Sequence, residues 1–197
     1  LTIALFPLNI FLLPGEQLPL HIFEPRYRQL FEEAQDESFE FGLPYHEREL
    51  GEHMVSICRL LKTTKVYQTG EMDVIIEAHS LADMKNFEST LPGKLYPGGE
   101  VQKRLSDDLD QEADGETLNL FRTYIEYKFG SVPSAAQLSR YQLLDIASSV
   151  ALSNREKINY VRLKDEERRT LMLKRCLQYL NLLHLQESRM ENGLLLN

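Results

Sequence analysis

Three observations predict an α+β fold. Strand-like apolar runs punctuated by proline and glycine dominate residues 1–104, and apolar residues recur at helical spacing from 117 onward. Between them lies a dense acidic run of Asp107, Asp108, Asp110, Glu112, Asp114 and Glu116. The boundaries follow as a β-rich part over 1–104, an acidic linker over 105–116 and an α-helical bundle over 117–197.

Phe6 to Leu13 is nearly all apolar and stops at Pro14-Gly15, so it reads as a buried strand closed by a turn. Leu18, Leu20 and Ile22 then alternate with other residues on a second strand. Pro25 suits the first helical position, where a missing N–H costs nothing, and Tyr27, Leu30, Phe31 and Ala34 share one helical face. Met54 to Leu61 and Asp73 to Ala78 read as strands around a Thr69-Gly70 turn, with Val66 beginning the return strand. The Pro- and Gly-rich run from Leu91 to Glu100 reads as a loop leading into an edge strand, Val101 to Arg104.

Beyond the acidic run nearly everything reads as helix. Leu118, Phe121, Tyr124, Ile125 and Phe129 form one stripe, broken by Gly130 and Pro133. Ser134 or Ser139 can open the next helix, whose buried face is Leu143, Ile146, Ala147 and Val150. Ser153-Asn154-Arg155-Glu156 is a capping box for a short third helix. Asp165-Glu166-Glu167 puts negative charge at the start of a last helix of roughly 20 residues carrying Leu173, Cys176, Leu177, Leu180 and Leu183.

The opening FPLNIFLLPGEQLPLHIFEPRYRQLFEE, residues 6–33, closely resembles the start of the Lon N-terminal domain, the substrate-binding part of ATP-dependent Lon proteases, which also occurs as a free-standing bacterial protein. Residues 143–180, LLDIASSVALSNREKINYVRLKDEERRTLMLKRCLQYL, resemble the helical second half of that domain, and Gly51 to Glu77 its central strands. The resemblance implies that the β-rich part is a twisted, partly closed barrel of the PUA-like kind. The chain departs from the family where a glycine followed by arginine and phenylalanine usually closes the central strands; here stand Glu77-Ala78-His79-Ser80-Leu81. No GxxxxGK[ST] phosphate cradle occurs, because the Gly93-Lys94 pair is followed by Leu95, so the chain is expected to act without an ATPase or protease domain.

Composition agrees with a folded domain, at 43% hydrophobic and 26% charged residues. Lys+Arg 22 against Asp+Glu 30 leaves a formal charge of −8, which repels polyanions and argues against nucleic acid as a partner. Cys58 and Cys176 are too few and too far apart for a zinc motif and read as reduced, buried thiols. No apolar run approaches the roughly 20 residues that span a bilayer, so a cytoplasmic location and no membrane partner are expected. The chain begins at Leu1 and not at Met, consistent with native residues preceding it.

No catalytic residue, cofactor or metal ion emerges from the motifs. His46-Glu47-Arg48-Glu49-Leu50 starts like a zinc-protease helix but puts Leu50 where the second histidine must stand. His53 follows His46 with three glutamates between them, and the stretch reads as a polar, exposed loop rather than as a metal site. His21, between Leu20 and Ile22, reads as a solvent-facing or hydrogen-bonded strand residue, and the acidic run lacks calcium-loop spacing. Glu24 and Arg26 flank Pro25 at a helix start, where Glu24 meets unpaired backbone N–H groups with Arg26 or Arg28 pairing nearby, or where Arg26 and Arg28 contact a partner's carboxylates or chain end.

The resemblance implies a non-catalytic module that binds an unfolded or tagged polypeptide, or a folded protein partner. The residues offered for that contact are Phe11, Leu13, Arg26, Arg28, Tyr45 and Tyr67, with Leu43 beside Tyr45. The alternative is a small-molecule-binding or sensing domain with a pocket between barrel and helices.

Overall fold

The computed structural model describes residues 1–47, 52–104, 109 and 111–194. It comprises two compact units, Leu1–Ser106 and Asp107–Asn197.

The first unit has six strands and one helix: β1 (Thr2–Leu5), β2 (Gln17–Ile22), α1 (Pro25–Glu33), β3 (Phe41–Glu47), β4 (Glu52–Val66), β5 (Met72–Glu88) and β6 (Gly98–Lys103). They form one mixed sheet in the order β2-β5-β4-β3-β1-β6, and a further β5–β6 pairing makes it a partly closed ring. The β1–β3 pair is parallel, and the others are antiparallel. Strand β5 serves two neighbours in turn, with Met72 to Glu77 against β2 and Ala82 to Glu88 against β6. Register shifts at Ile57/Cys58, Leu60/Lys62, Thr63/Lys65 and Met84/Asn86 interrupt the ladders, and such bulges bend and twist strands as ring closure requires.

Two apolar clusters hold this unit together. Ile3, Leu5, Val55, Ile57, Ala82 and Val101 form one. The other joins Tyr27, Leu30 and Phe31 of α1 to Ile22, Met72, Val74 and Ile76 of the sheet, with Phe6 edge-on to Phe31. The face of α1 inferred from helical spacing is therefore its buried face, at about 2–3 kcal/mol per large side chain removed from water.

The predicted strand over Phe6 to Leu13 is not formed, because β1 ends at Leu5 and residues 6–16 run irregularly. Burial made this segment look like a strand: Phe6, Phe11, Leu12 and Leu13 are all in the core. Its backbone groups find other partners. Leu12 N–H donates to Ser56 Oγ (2.9 Å), the Ser56 hydroxyl donates to Leu12 C=O (2.8 Å), and Leu13 N–H donates to the Glu16 carboxylate (2.6 Å). Pro14-Gly15 does make the expected turn, closed by Glu16 N–H to Leu13 C=O (3.1 Å), with Gly15 at φ 89° where a side chain would be strained.

Strand β3 was not foreseen, since Gly42 and Pro44 imitate a loop. Gly42 is required by packing, as a Cβ there would lie 2.5 Å from Val55 Cγ1. Pro44 falls beyond the part of β3 that pairs with β1, which stops at Gly42. Val66 ends β4 rather than beginning the return strand, and β4 and β5 outrun their predicted lengths because their ends are polar. Glu77 to Leu81, the point of departure from the family pattern, lies inside β5 without a turn. Gly98 and Gly99 belong to β6 rather than to the loop before it. His46 and His53 stand on β3 and β4 as partners in the ladder, not in an exposed loop; Arg48, Glu49 and Leu50 lie outside the described residues.

The second unit is helical: α2 (Gly115–Phe129), α3 (Ala135–Leu138), α4 (Leu143–Ser149), α5 (Asn154–Arg162) and α6 (Glu166–Leu194). Asp114, from the acidic run, caps α2 by accepting from Thr117 N–H (2.8 Å), and Gly130 ends it at φ 68°. Asp107, Asp108 and Asp110 lie outside the described residues. Ser134 opens only the single turn α3, whereas α4 is opened by Gln142 with Asp145 and not by Ser139. The capping box at Ser153 and Glu156 forms as expected. Helix α6 runs for 29 residues, longer than predicted, and buries Leu173 and Leu177. Phe129, placed on the α2 stripe, is 64% exposed. Arg169 is buried, donates to Leu163 C=O and lies over the Tyr160 ring. Among the described residues no helix is long and apolar enough to cross a membrane. Cys58 is fully buried and Cys176 half-buried; both are free, and burial pushes both thiols upward.

Candidate functional site

An open groove of about 520 Å³ lies in the first unit, where the irregular 6–16 segment passes the start of β4 and the end of β5. Leu8 and Asn9 come from that segment, Tyr45 and His46 from β3, His53 and Met54 from β4, and Met84 and Phe87 from β5. Asn9 holds a left-handed φ of 54°, which asparagine tolerates better than most residues and which turns the chain at the groove wall. The β5 register shift with β6 falls between Met84 and Asn86, beside Phe87, which is 51% exposed. The lining is mostly apolar, and the unbranched thioether of the partly exposed Met84 makes it adaptable, with the fully buried Met54 behind it.

The six predicted contact residues separate into three groups. Tyr45 lines the groove, its ring centroid 6.3 Å from that of Phe11. Phe11 and Leu13 are fully buried, and Leu43 with them, so they support the surface from behind and contribute none of it. Arg26, Arg28 and Tyr67 gather instead around the start of α1 and the β4–β5 turn. Arg26 pairs with Glu24 (2.8 Å), one of the two pairings expected for that carboxylate, and lies over the Tyr27 ring. Arg28 donates to Thr69 C=O (2.6 Å).

Tyr67 donates to Asp73 (2.8 Å), which also meets His21 Nδ1 at 2.6 Å. Those two hydrogen bonds, from His21 first and then Tyr67, hold the Asp73 carboxyl below its usual range. Phe23 and Val66, 60% and 67% exposed, are exposed apolar side chains at this end of the sheet. The two surfaces thus use opposite ends of β4, His53-Met54 at one and Lys65-Val66 at the other.

A third polar cluster is structural. Glu40 receives Arg59 (2.9 Å) and Lys103 (2.7 Å), with His79 Nε2 at 3.3 Å, tying β4, β5 and β6 to the start of β3. Burial alone would raise the Glu40 carboxyl, but the hydrogen bonds from Lys103 and Arg59 outweigh it and hold the group low. Among the described residues no group of three or more His, Cys, Asp or Glu side chains is placed to hold a metal ion. Leu8, Met84 and Phe87 escaped sequence reasoning because they come from two segments far apart in the chain, the irregular 6–16 segment and the end of β5. The alternation of Leu43, Tyr45 and Glu47 against Gly42, Pro44 and His46 was the available hint of β3.

No protein-family model and no curated protein sequence matches the chain. Solved structures do. The Lon N-terminal domain protein from Xanthomonas campestris superposes with a TM-score of 0.62 at 21% identity, over 88% of this chain and 96% of that one. The N-terminal domain of a Mycobacterium avium complex Lon protease gives a TM-score of 0.56 at 15% identity, over 91% and 97%. The fold is that of a Lon N-terminal domain across most of the chain, as the opening and closing motifs implied.

Proposed function

We propose that this chain is a non-catalytic polypeptide-binding module that takes extended, apolar segments of unfolded protein into the groove beside Tyr45. The observation that carries this reading is the groove itself: an open, mostly apolar trough with a partly exposed Met84 and a half-exposed Phe87 in its lining, backed by the buried Met54. A small ligand is held best by an enclosed pocket that buries most of its surface, and this trough is open. An unbranched methionine such as Met84 re-packs around varied side chains, which suits a receptor for many sequences. The substrate-binding role that the sequence resemblance implies points the same way, and the Lon N-terminal domain fold supports it.

Each apolar anchor of about 100 Å² buried contributes about 2.5 kcal/mol. Four such anchors contribute about 10 kcal/mol, and after roughly 4 kcal/mol for ordering an unfolded segment about 6 kcal/mol remains, a Kd on the order of 10–100 μM. Fluorescence anisotropy with labelled unfolded peptides tests this. The expected result is micromolar binding that Phe87→Ser and Met84→Ser weaken at least about fivefold, given that a lost buried anchor is worth more than 1 kcal/mol. Binding that is absent at millimolar protein, or indifferent to both substitutions, overturns the reading.

A further inference from the structure

Strands β3 and β4 pair antiparallel with Tyr45 opposite Met54, His46 opposite His53 and Glu47 opposite Glu52. Directly opposed residues of an antiparallel pair hold their Cβ atoms about 4.5–5.5 Å apart on one face of the sheet. The two imidazoles use that proximity: their centroids are 3.9 Å apart, their planes are 18° from parallel, and both side chains are exposed. We propose that His46 and His53 form a two-imidazole chelate for a divalent transition-metal ion of the zinc, nickel or copper type, at the rim of the groove.

Imidazole nitrogen binds such ions at about 2.0–2.1 Å, so two nitrogens sharing one ion at a tetrahedral or right angle stand about 3 Å apart. Near-parallel rings hold their nitrogen lone pairs in parallel planes, so binding requires each ring to turn out of the stack about its Cβ–Cγ bond until the two lone pairs converge on one ion. The ladder positions on either side hold the two Cα atoms in place, and binding therefore orders two side chains without closing a loop. The donor type sets the class of ion, because neutral imidazole suits zinc, nickel and copper, whereas calcium and magnesium require oxygen ligands. Among the described residues no group of three or more His, Cys, Asp or Glu is placed to hold a metal ion, so the two imidazoles are the ligands assigned to it. The inference stands apart from the polypeptide reading, since neither needs the other.

The test is calorimetric titration of the whole chain with Ni²⁺, Zn²⁺ and Mg²⁺, alongside NMR of the histidine ring protons. The expected result is one Ni²⁺ or Zn²⁺ per chain, no response to Mg²⁺, and selective shifts or broadening of the His46 and His53 ring signals. His46→Ala and His53→Ala each weaken binding about tenfold or more by removing the intramolecular second ligand, whereas His184→Ala leaves it unchanged. Ring signals that stay unmoved at millimolar Ni²⁺ overturn the proposal, and so does binding that survives both substitutions. The ring signals decide the matter on the unaltered protein even where a variant folds poorly.

Discussion

Ser56 lies fully buried on β4, where its hydroxyl both receives Leu12 N–H and donates to Leu12 C=O. It stands in for a strand neighbour at the place where residues 6–16 leave the sheet, so one side chain satisfies two backbone groups that burial would otherwise orphan. Ser56→Ala removes little apolar surface but strands both groups. The expected cost is on the order of 2 kcal/mol, read as a lower urea midpoint of the β-rich unit. A loss under a few tenths of a kcal/mol would mean that Leu12 finds water or another partner.

Helix α2 owes its start to Asp114. The carboxylate accepts from Thr117 N–H and meets Lys174 of α6 at 2.8 Å, and these contacts, Lys174 foremost, hold its pKa at about 2. A carboxyl depressed on folding contributes stability that is present above its unfolded pKa of 3.8 and is lost as pH falls through the folded value. The window is therefore from about pH 4 down to about pH 2. Asp114→Asn keeps the cap acceptor and removes the charge, so the advantage of the unaltered chain over this variant is expected to shrink across that window in thermal melts taken at each pH. Asp114→Ala loses the cap as well, at about 1 kcal/mol at neutral pH. A wild-type advantage that stays flat from pH 6 to pH 2 would show that Lys174 adds nothing, as exposed ion pairs often do.

Across the whole molecule charge and shape act together. Residues 1–106 hold 10 Lys and Arg against 16 Asp and Glu, a net of −6 in the unit that carries the groove. Such a field favours segments whose apolar stretch is flanked by lysine or arginine and speeds their approach. Raising salt shortens the Debye length from about 10 Å at 0.1 M to about 3 Å at 1 M. It is therefore expected to weaken anisotropy binding of a lysine-flanked peptide while leaving an uncharged one of the same apolar core unchanged. Equal salt dependence for both would remove electrostatics from the account.

How much of this was legible beforehand follows from how local each signal is. Pro25, the Pro14-Gly15 turn, the Ser153 capping box and Gly130 act through backbone geometry within a few residues, and all stand where the chain alone placed them. Helix faces such as Tyr27, Leu30 and Phe31 were equally readable, since 3.6-residue periodicity is a property of the segment. The opening and closing motifs pointed to a Lon N-terminal domain, whose fold the chain adopts.

Tertiary structure alone decided the rest. Burial without strand pairing in residues 6–16, the glycine that Val55 forces on β3, and the long polar ends of β4 and β5 depend on neighbours distant in sequence. The groove and the His46–His53 pair depend on them too. The register that sets those two rings face to face is a property of two strands together, and a one-residue slip would have put them on opposite faces.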